Sequence, residues 1–255
     1  MSFYRSGKKL FFPVLLLVVW QMLSFIDLLP RHKIPSPVDI LLGLEELLGE
    51  GLPQGKTIAV HGLYSLIRVA SGFMIAVFVA IPAGILMGSS RKLRDMFTPV
   101  IEIIRPIPPL AWIPLAILWF GIGLKSAAFI IFLGCFFPVL LSTVSGVMSV
   151  DATLIDAART LGAREKDLFV KVLIPAATPS IYTGVRIGMG IGWMTLVAAE
   201  FTGVKSGFGL GYMIMIARDI QRPDLVIAGM TAIGIVGYLL DSVLRRLENR
   251  SLRWR

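Results

Sequence analysis

The stretch Asp156-Ala157-Ala158-Arg159-Thr160-Leu161-Gly162, followed by Val172-Leu173-Ile174-Pro175, is a polar island between two long apolar runs. Apolar runs of this length are typical of membrane-spanning helices, because a hydrocarbon core about 30 Å thick needs roughly 20 apolar residues per helix. A polar, helix-prone segment between two spans lies at the membrane surface, where a water-soluble partner can bind it. We therefore take this segment as the first candidate for a functional surface.

The composition agrees with a membrane protein. The chain has 255 residues, of which 56% are hydrophobic and 16% charged, whereas soluble domains carry about a quarter charged residues. In the longest connection between apolar runs, Val38 to Leu48 has apolar residues at helical spacing and predicts a short surface helix. Almost nothing remains for a soluble domain, so the sequence predicts an all-α polytopic membrane protein with a single transmembrane domain over residues 1–255. Its six predicted spans are approximately 10–29, 66–88, 98–121, 126–149, 175–203 and 225–244.

The basic residues are unevenly divided between the two sides of the membrane. If the N-terminus is cytoplasmic, 15 of the 25 Lys and Arg residues fall inside and 7 outside. The positive-inside rule then places both termini and the loop at about 150–172 in the cytoplasm. The net charge of +9 reflects this orientation and does not indicate nucleic-acid binding. No organelle signal is visible, so the predicted location is a bacterial or archaeal inner membrane. The outside cations are Arg31, Lys33, Lys56, Lys125, Lys205, Arg218 and Arg222.

Motifs for catalysis or cofactor binding are not found in the sequence. The stretch Gly51-Leu52-Pro53-Gln54-Gly55-Lys56-Thr57 has three residues between its glycines, whereas a phosphate-binding loop needs four. His32 and His61 are far apart and have no cysteine or carboxylate cluster beside them, which argues against a metal site. No nucleophile–base pair is visible. We therefore expect a chain that is not an enzyme and holds no cofactor or metal.

The polar island has the pattern of two short amphipathic helices joined by a turn. Asp151 can cap the first helix, and Gly162 stands where a C-terminal glycine would end it in a left-handed conformation. A second amphipathic piece, Arg164 to Leu173, leads to Pro175, which we expect to start the next span. A solvated connector is one interpretation, but small alanines beside an apolar stripe favour insertion into a partner's groove. The predicted stripe is Leu154, Ile155, Ala158 and Leu161.

The third and fifth predicted spans have unusual composition. Arg105-Pro106-Ile107-Pro108-Pro109-Leu110-Ala111-Trp112-Ile113-Pro114 contains four prolines in nine residues, and such a segment cannot form an ordinary helix. A bent, packed helix and a segment that lines a pathway are both compatible with it. We take Arg105, Pro108 and Trp112 as candidate pathway residues. In the fifth span, Gly184, Gly188, Gly190 and Gly192 predict close helix packing.

Ionisable residues within membrane spans are costly and are functional candidates by default. Arg186 lies near the middle of the fifth span, and we expect it either to contact an anion in a cavity or to form a structural ion pair. Glu102 lies one turn before Arg105, so these two can pair. Glu200, toward the outer end of the fifth span, is a further pathway candidate. Asp241 and Arg245 are four residues apart on the last span and predict an ordinary helix pair.

On these residues the sequence resembles the permease subunits of ATP-binding-cassette importers. Their signature is Glu-Ala-Ala, three residues, Gly, nine residues and Ile-x-Leu-Pro. This chain has Asp156-Ala157-Ala158, then Gly162, Val172, Ile174 and Pro175 at the matching offsets, with Asp in place of Glu. The segments Trp119-Phe120-Gly121-Ile122-Gly123, Ala198-Ala199-Glu200 and Gly207-Phe208-Gly209-Leu210-Gly211-Tyr212 are similar to the nitrate/sulfonate/taurine branch.

The resemblance implies a type I importer fold and a set of partners. These are two cytoplasmic ATP-binding subunits, which would carry the ATP and Mg²⁺, an extracytoplasmic binding protein, and a second permease copy, in a homodimer. The resemblance also assigns Asp156, Ala157, Ala158, Arg159, Gly162 and Pro175 to ATPase coupling. The expected cargo is a small anion such as an organosulfonate, taurine or nitrate.

Two alternatives remain at this point. The same type of importer could carry bicarbonate or a pyrimidine-type vitamin precursor, because cargo selection resides mostly in the binding protein. A self-sufficient secondary transporter is the other alternative, but such proteins usually contain internal inverted repeats, and no convincing repeat relates the two halves of this chain.

Overall fold

The computed structural model describes residues 2–26, 28, 30, 32–201 and 207–252. These residues form helices and no β-strand, which confirms the all-α prediction. Among the cations counted in the sequence, Arg31, Lys205, Arg253 and Arg255 lie outside the described part. The helices are α1 (Ser2–Phe25), α2 (Pro37–Gly49), α3 (Ile58–Ser89), α4 (Arg91–Ile104), a 3₁₀ turn (Pro109–Trp112), α5 (Ile113–Phe120), α6 (Leu124–Met148), α7 (Ala152–Thr160), α8 (Glu165–Asp167), a π-helical turn (Leu168–Leu173), α9 (Ile174–Phe201), α10 (Leu210–Asp219) and α11 (Pro223–Ser251).

Most of the predicted spans appear as long apolar helices. In the described ranges, four segments are long and apolar enough to cross a membrane: α3, α6, the run Glu165–Phe201 and α11. The third predicted span is a bent pair of helices, which brings the number to five if the pair crosses as one span. The first predicted span corresponds to the apolar stretch Phe11–Phe25 of α1, which is shorter than the others. The predicted number of six is therefore confirmed only in part.

The proline-rich segment breaks the third span. Helix α4 and the segment Pro109–Phe120 meet at an angle of 81°. Proline has no amide donor and clashes with the carbonyl one turn back, so consecutive prolines cannot continue the α-helical ladder. Pro108 instead has φ −56° and ψ 137°, and the chain resumes as the 3₁₀ turn before α5. The prediction that this segment is not an ordinary helix is confirmed.

The residues group into two compact units, and the first comprises residues 1–64 and 207–235. Helix α2, predicted as a surface helix, begins at a capping box in which the Asp39 amide donates to Ser36 Oγ and the Ser36 amide donates to the Asp39 carboxylate. Arg222 Nη2 lies 2.7 Å from a carboxylate oxygen of Glu46 on α2 and 2.7 Å from one of Asp224 on α11. This ion-pair cluster joins the helices within the unit.

The second unit comprises residues 65–206 and 236–255 and contains the packed helices of the candidate site. Gly184, Gly188 and Gly192 of α9 lie against α6, where an added Cβ would come within 3 Å of a side-chain atom of Ser142, Val139 or Cys135. Three glycines spaced by four residues share one helix face and allow this close approach. A Cβ atom added at Gly190, by contrast, would meet no atom within 4 Å. The packing prediction is therefore wrong for this glycine within the described chain; it lies about 200° around the helix from Gly188.

Candidate functional site

Helix α7 of the polar island is capped at both ends by its own sequence. Asp151 Oδ1 accepts a hydrogen bond from the Thr153 amide at 2.9 Å, and hydrogen bonds from the Thr153 side chain and amide hold the pKa of Asp151 below its usual value. At the other end Gly162 has φ +83°. The Gly162 amide donates to the Arg159 carbonyl at 2.9 Å and the Ala163 amide to the Ala158 carbonyl at 3.0 Å. This is a Schellman motif, and it confirms the predicted left-handed glycine.

The apolar stripe on α7 is only partly covered within the chain. Leu161 is 88% exposed and Leu154 is 50% exposed, while Ile155 and Ala158 are half-buried and Ala157 is exposed. Leucines that are exposed near both ends of a short polar helix have no role in the core of the described chain. The surface they form, residues 154–161, is hereafter called the α7 surface.

Among the described residues, the charges around the α7 surface form exposed ion pairs. Arg159 Nη1 lies 3.9 Å from Asp156 Oδ1, and Arg159 Nη2 lies 3.4 Å from Glu165 Oε1 across the Gly162 turn. More than half of the side-chain surface of each of the three residues is exposed. Exposed pairs of this kind contribute about 1 kcal/mol or less. Both the Asp156 carboxylate and the Arg159 guanidinium therefore remain accessible to a partner.

Beyond the turn the chain leads directly into a membrane helix. Leu168 is buried and anchors the start of this helix, and Pro175 is the second residue of α9. The preceding turn, Leu168–Leu173, is π-helical. We attribute it to Pro175, which lacks an amide for the ladder and would clash with the Lys171 carbonyl in an α-helix. Pro175 therefore lies inside a continuous helix from Glu165 to Phe201, whereas the sequence prediction had the span start at this proline.

The predicted pathway residues Arg105 and Trp112 meet at one cavity in the second unit. The cavity has a volume of about 230 Å³ and is also lined by Gly134 and Pro138 of α6 and Ile191 of α9. Pro108 is not among its lining residues. The predicted pair between Glu102 and Arg105 does not form. Both side chains are exposed, although Arg105 keeps an α-helical backbone and its amide donates to the Ile101 carbonyl at 2.8 Å.

Arg186 is engaged by carboxylates of α11. Its Nε lies 3.2 Å from Asp241 Oδ1, and its Nη1 lies 3.2 Å from Glu248 Oε2. Asp241 also pairs with Arg245 at 2.8 Å, as predicted from the sequence. Of the two predicted roles for Arg186, the structure therefore favours the structural ion pair over a contact with an anion in a cavity.

Glu200 is held in a buried ion pair that the sequence reasoning did not find. Its Oε1 lies 2.7 Å from Arg68 Nη1 and accepts a hydrogen bond from Ser65 Oγ at 2.8 Å. Both charged residues are at most 3% exposed. The only feature of the sequence that could have indicated this pair was Arg68, a single arginine near the start of an apolar span. Its partner is 132 residues away in the chain, and no spacing rule connects the two.

In the first unit, the glycine-rich segment after residue 206 lies on α3 and its preceding loop. The Phe208 ring stacks on Tyr64 with ring centres 4.5 Å apart, and Lys56 Nζ lies 4.2 Å from the centre of the Phe208 ring. His61 is fully buried and its Nδ1 contacts the Gly209 backbone at 3.0 Å. These contacts fix the segment. Across the described ranges, no group of three His, Cys, Asp or Glu residues is arranged to hold a metal ion.

Comparison with known proteins places these features in a family. Residues 80–253 match the family model described as "Binding-protein-dependent transport system inner membrane component". This range includes the α7 surface, the proline bend, Arg186 and Glu200.

Curated relatives match over most of the chain, among them the following three. A protein of Methanocaldococcus jannaschii named as a putative ABC transporter permease is 46% identical over 97% of this chain and 91% of its own length. The taurine transport system permease protein of Escherichia coli is 41% identical over 94% of this chain and 86% of its own length. The nitrate import permease protein of a Synechocystis strain is 36% identical over 92% of this chain and 85% of its own length.

A solved structure shares the fold. A chain of the MetNI methionine ABC transporter, in an inward-facing crystal form, has a TM-score of 0.61 at 20% identity and covers 86% of this chain and 99% of its own. At this identity the likeness concerns the fold alone. On the family match and the curated relatives together, the chain belongs to the binding-protein-dependent inner-membrane permeases, and it is an ABC importer permease of the branch that contains the taurine, sulfonate and nitrate systems.

Proposed function

We propose that this permease moves a small anion, an organosulfonate or an inorganic oxoanion, from an extracytoplasmic binding protein into the cytoplasm. The relatives named for taurine and nitrate support this class of cargo. Taurine carries a sulfonate group, and nitrate is itself an oxoanion; both present several oxygen atoms around a negative charge. The finer choice of anion depends on the binding protein, which is a separate chain.

Transport is driven by two cytoplasmic ATP-binding subunits that dock on the α7 surface. The observation that carries this proposal is the 88% exposure of Leu161 at the end of a helix that is rigidly capped by Asp151 and Gly162. A capped helix with exposed apolar side chains can insert into a groove of a partner and be displaced as a rigid unit when the partner moves. Because the run Glu165–Phe201 continues from the turn, a displacement of α7 passes directly into a membrane helix.

The proposed assembly contains two copies of this permease, in a bacterial or archaeal inner membrane, with both termini in the cytoplasm. ATP and Mg²⁺ bind to the ATPase subunits and not to this chain. Closure of the ATPases would rock the permease helices between inward- and outward-facing states, so that the binding protein releases its cargo into the cavity between them.

The docking proposal is tested by Gly162→Val and Ala158→Asp in a complex reconstituted with its ATPase and binding-protein partners. Valine at φ +83° strains the turn by roughly 1–2 kcal/mol, and aspartate places a charge in the docking stripe. We expect both variants to insert in the membrane but to lose ATP-driven uptake and co-purification of the ATPase. Uptake at the level of the unmodified protein in both variants would show that residues 156–175 are only a connector.

Gly55→Val is the matched control for Gly162→Val. Gly55 has φ +82°, and at both glycines an added Cβ atom would have no neighbouring atom within 4 Å. The backbone strain is therefore the same, but Gly55 lies in the loop before α3, on the proposed outer side. The control should retain the ATPase. Loss of the ATPase in this variant as well would mean that general destabilisation, and not the α7 surface, is responsible.

A further inference from the structure

The cavity beside the proline bend lies midway along the membrane helices. Gly134 and Pro138 line it from α6, a helix of 25 residues whose middle residue is Phe136. Ile191 lines it from α9, near the middle of 28 residues. At a rise of 1.5 Å per residue, α6 is about 37 Å long and spans the hydrocarbon core. The cavity therefore lies near the middle of the bilayer.

Arg105 is the charged residue that lines this cavity, and the described part of the chain provides it with no counter-charge. Its side chain is exposed, and neither Glu102 nor any other described carboxylate lies within ion-pair distance of it. The remaining wall is almost wholly apolar and includes Trp112 and Leu133. A cation in such surroundings is costly unless an anion or water balances it, and an anionic ligand bound in the cavity would supply the balancing charge.

The proline bend explains why the Arg105 side chain is available to a ligand. Arg105 is the C-terminal cap residue of α4, and the prolines at 106, 108 and 109 direct the following chain away from the helix axis. Arg68 and Arg186 have contacts to carboxylates on other helices, whereas the residues of α6 and α9 that line the cavity together with Arg105 are uncharged. Arg105 therefore differs from the other two arginines in having no acidic partner among the described residues.

We propose that Arg105 binds the anionic head of the cargo within the membrane and makes this cavity an anion site of the permease itself. This inference rests on the proposed function for the identity of the cargo. A guanidinium group offers paired N–H donors that match two oxygens of a sulfonate or nitrate group. A volume of about 230 Å³ is smaller than the roughly 300–1,000 Å³ of drug-sized ligand sites and suits a small anion.

A chemical labelling experiment tests the charge at the site without requiring transport. Cys135, the single cysteine of the chain, is fully buried, and Cys135→Ala removes the only thiol of this chain, so that label on the permease band reports only an introduced cysteine. Ile107→Cys, in the cavity lining, is then labelled in the assembled complex with anionic sulfonatoethyl methanethiosulfonate or cationic trimethylammonioethyl methanethiosulfonate. We expect the ratio of the anionic to the cationic rate to fall about tenfold or more when Arg105→Gln is added, because a nearby unpaired cation attracts the sulfonate reagent.

Leu48→Cys serves as the labelling control, since Leu48 is 57% exposed on α2 and does not line the cavity. Its ratio should not respond to Arg105→Gln. If the ratio at Ile107→Cys is equally unaffected, Arg105 does not attract anions at this cavity and the inference is overturned, whether or not the complex transports an anion.

The second measurement is uptake by the reconstituted complex. Arg105→Gln should lower the rate of anion uptake per complex at least about tenfold, and Arg105→Lys, which retains the charge without the paired donors, should lower it less. Lys92→Gln, which removes an exposed cation from the same helix, should have no effect. Uptake by Arg105→Gln at the unmodified rate would also overturn the inference. Absence of ATP-driven anion uptake by the unmodified complex would contradict the proposed function instead, and the labelling ratio would still decide the role of Arg105.

Discussion

Arg186 and Arg105 both lie in the membrane part of the chain, but they differ in their carboxylate partners. Arg186 on α9 lies 3.2 Å from carboxylate oxygens of both Asp241 and Glu248. Arg105, at the proline bend, lines a cavity beside the middle of α6 and has no carboxylate partner among the described residues. A cation in the membrane must be balanced: α11 provides the balance for Arg186, and we infer that the cargo provides it for Arg105. A charged residue in a span can therefore be judged as a functional candidate only after its contacts with other charged residues are known.

The largest effect in this comparison should come from the buried pair Arg68–Glu200, which is the extreme case of an internally balanced charge. Arg68→Met leaves the Glu200 carboxylate buried without its cation, and removal of one partner of such a pair costs roughly 3–5 kcal/mol. We expect a large loss of thermal stability of the detergent-solubilised protein. Arg91→Gln is the control, because the Arg91–Asp95 pair is exposed at 3.7 Å and should contribute less than about 1 kcal/mol. Equal shifts in the two variants would contradict the assigned burial.

An intermediate effect is expected for Arg186→Gln. The Arg186 side chain is 37% exposed, so loss of its ion pairs should cost about 1 kcal/mol. Uptake per assembled complex should remain unchanged, in contrast to the effect of Arg105→Gln. Glu248→Gln should give a similar loss, and the double variant should be less destabilised than the sum, because both changes remove the same pair. A reduction in uptake per complex as large as that for Arg105→Gln would indicate that Arg186 contacts the cargo in the translocation pathway.

The smallest effect should come from Arg245→Gln. Its pair with Asp241 joins positions i and i+4 of one helix, and both side chains are at least 40% exposed. Exposed pairs of this kind contribute little. We expect no measurable change in melting temperature or uptake, since Asp241 keeps its contact with Arg186. A clear loss of stability would indicate that Asp241 orients Arg186 only when Arg245 is present.

Local features of the fold could be predicted from the sequence. The cap at Asp151, the left-handed Gly162 and the helix break after Arg105 each follow from chemistry within a few residues, and the structure shows all three. The pattern of the family signature likewise lies within 20 residues, from Asp156 to Pro175. In contrast, the local rule that pairs Glu102 with Arg105 failed. Both residues lie on helical backbone, but their side chains are exposed, and an exposed pair gains about 1 kcal/mol or less, which is too little to fix two long side chains.

The sequence by itself determined that this protein is helical, lies in a membrane, belongs to the importer permeases and presents its polar island as a capped helix. These properties depend on composition, on hydrophobic runs and on residues close together in the chain. Only the tertiary structure decided which charges are balanced: Arg68 by Glu200, Arg186 by Asp241 and Glu248, and Arg105 by no carboxylate in the described ranges. Helix packing brings together partners that are 55 to 132 residues apart in the chain, and a pattern of neighbouring residues does not predict such pairs.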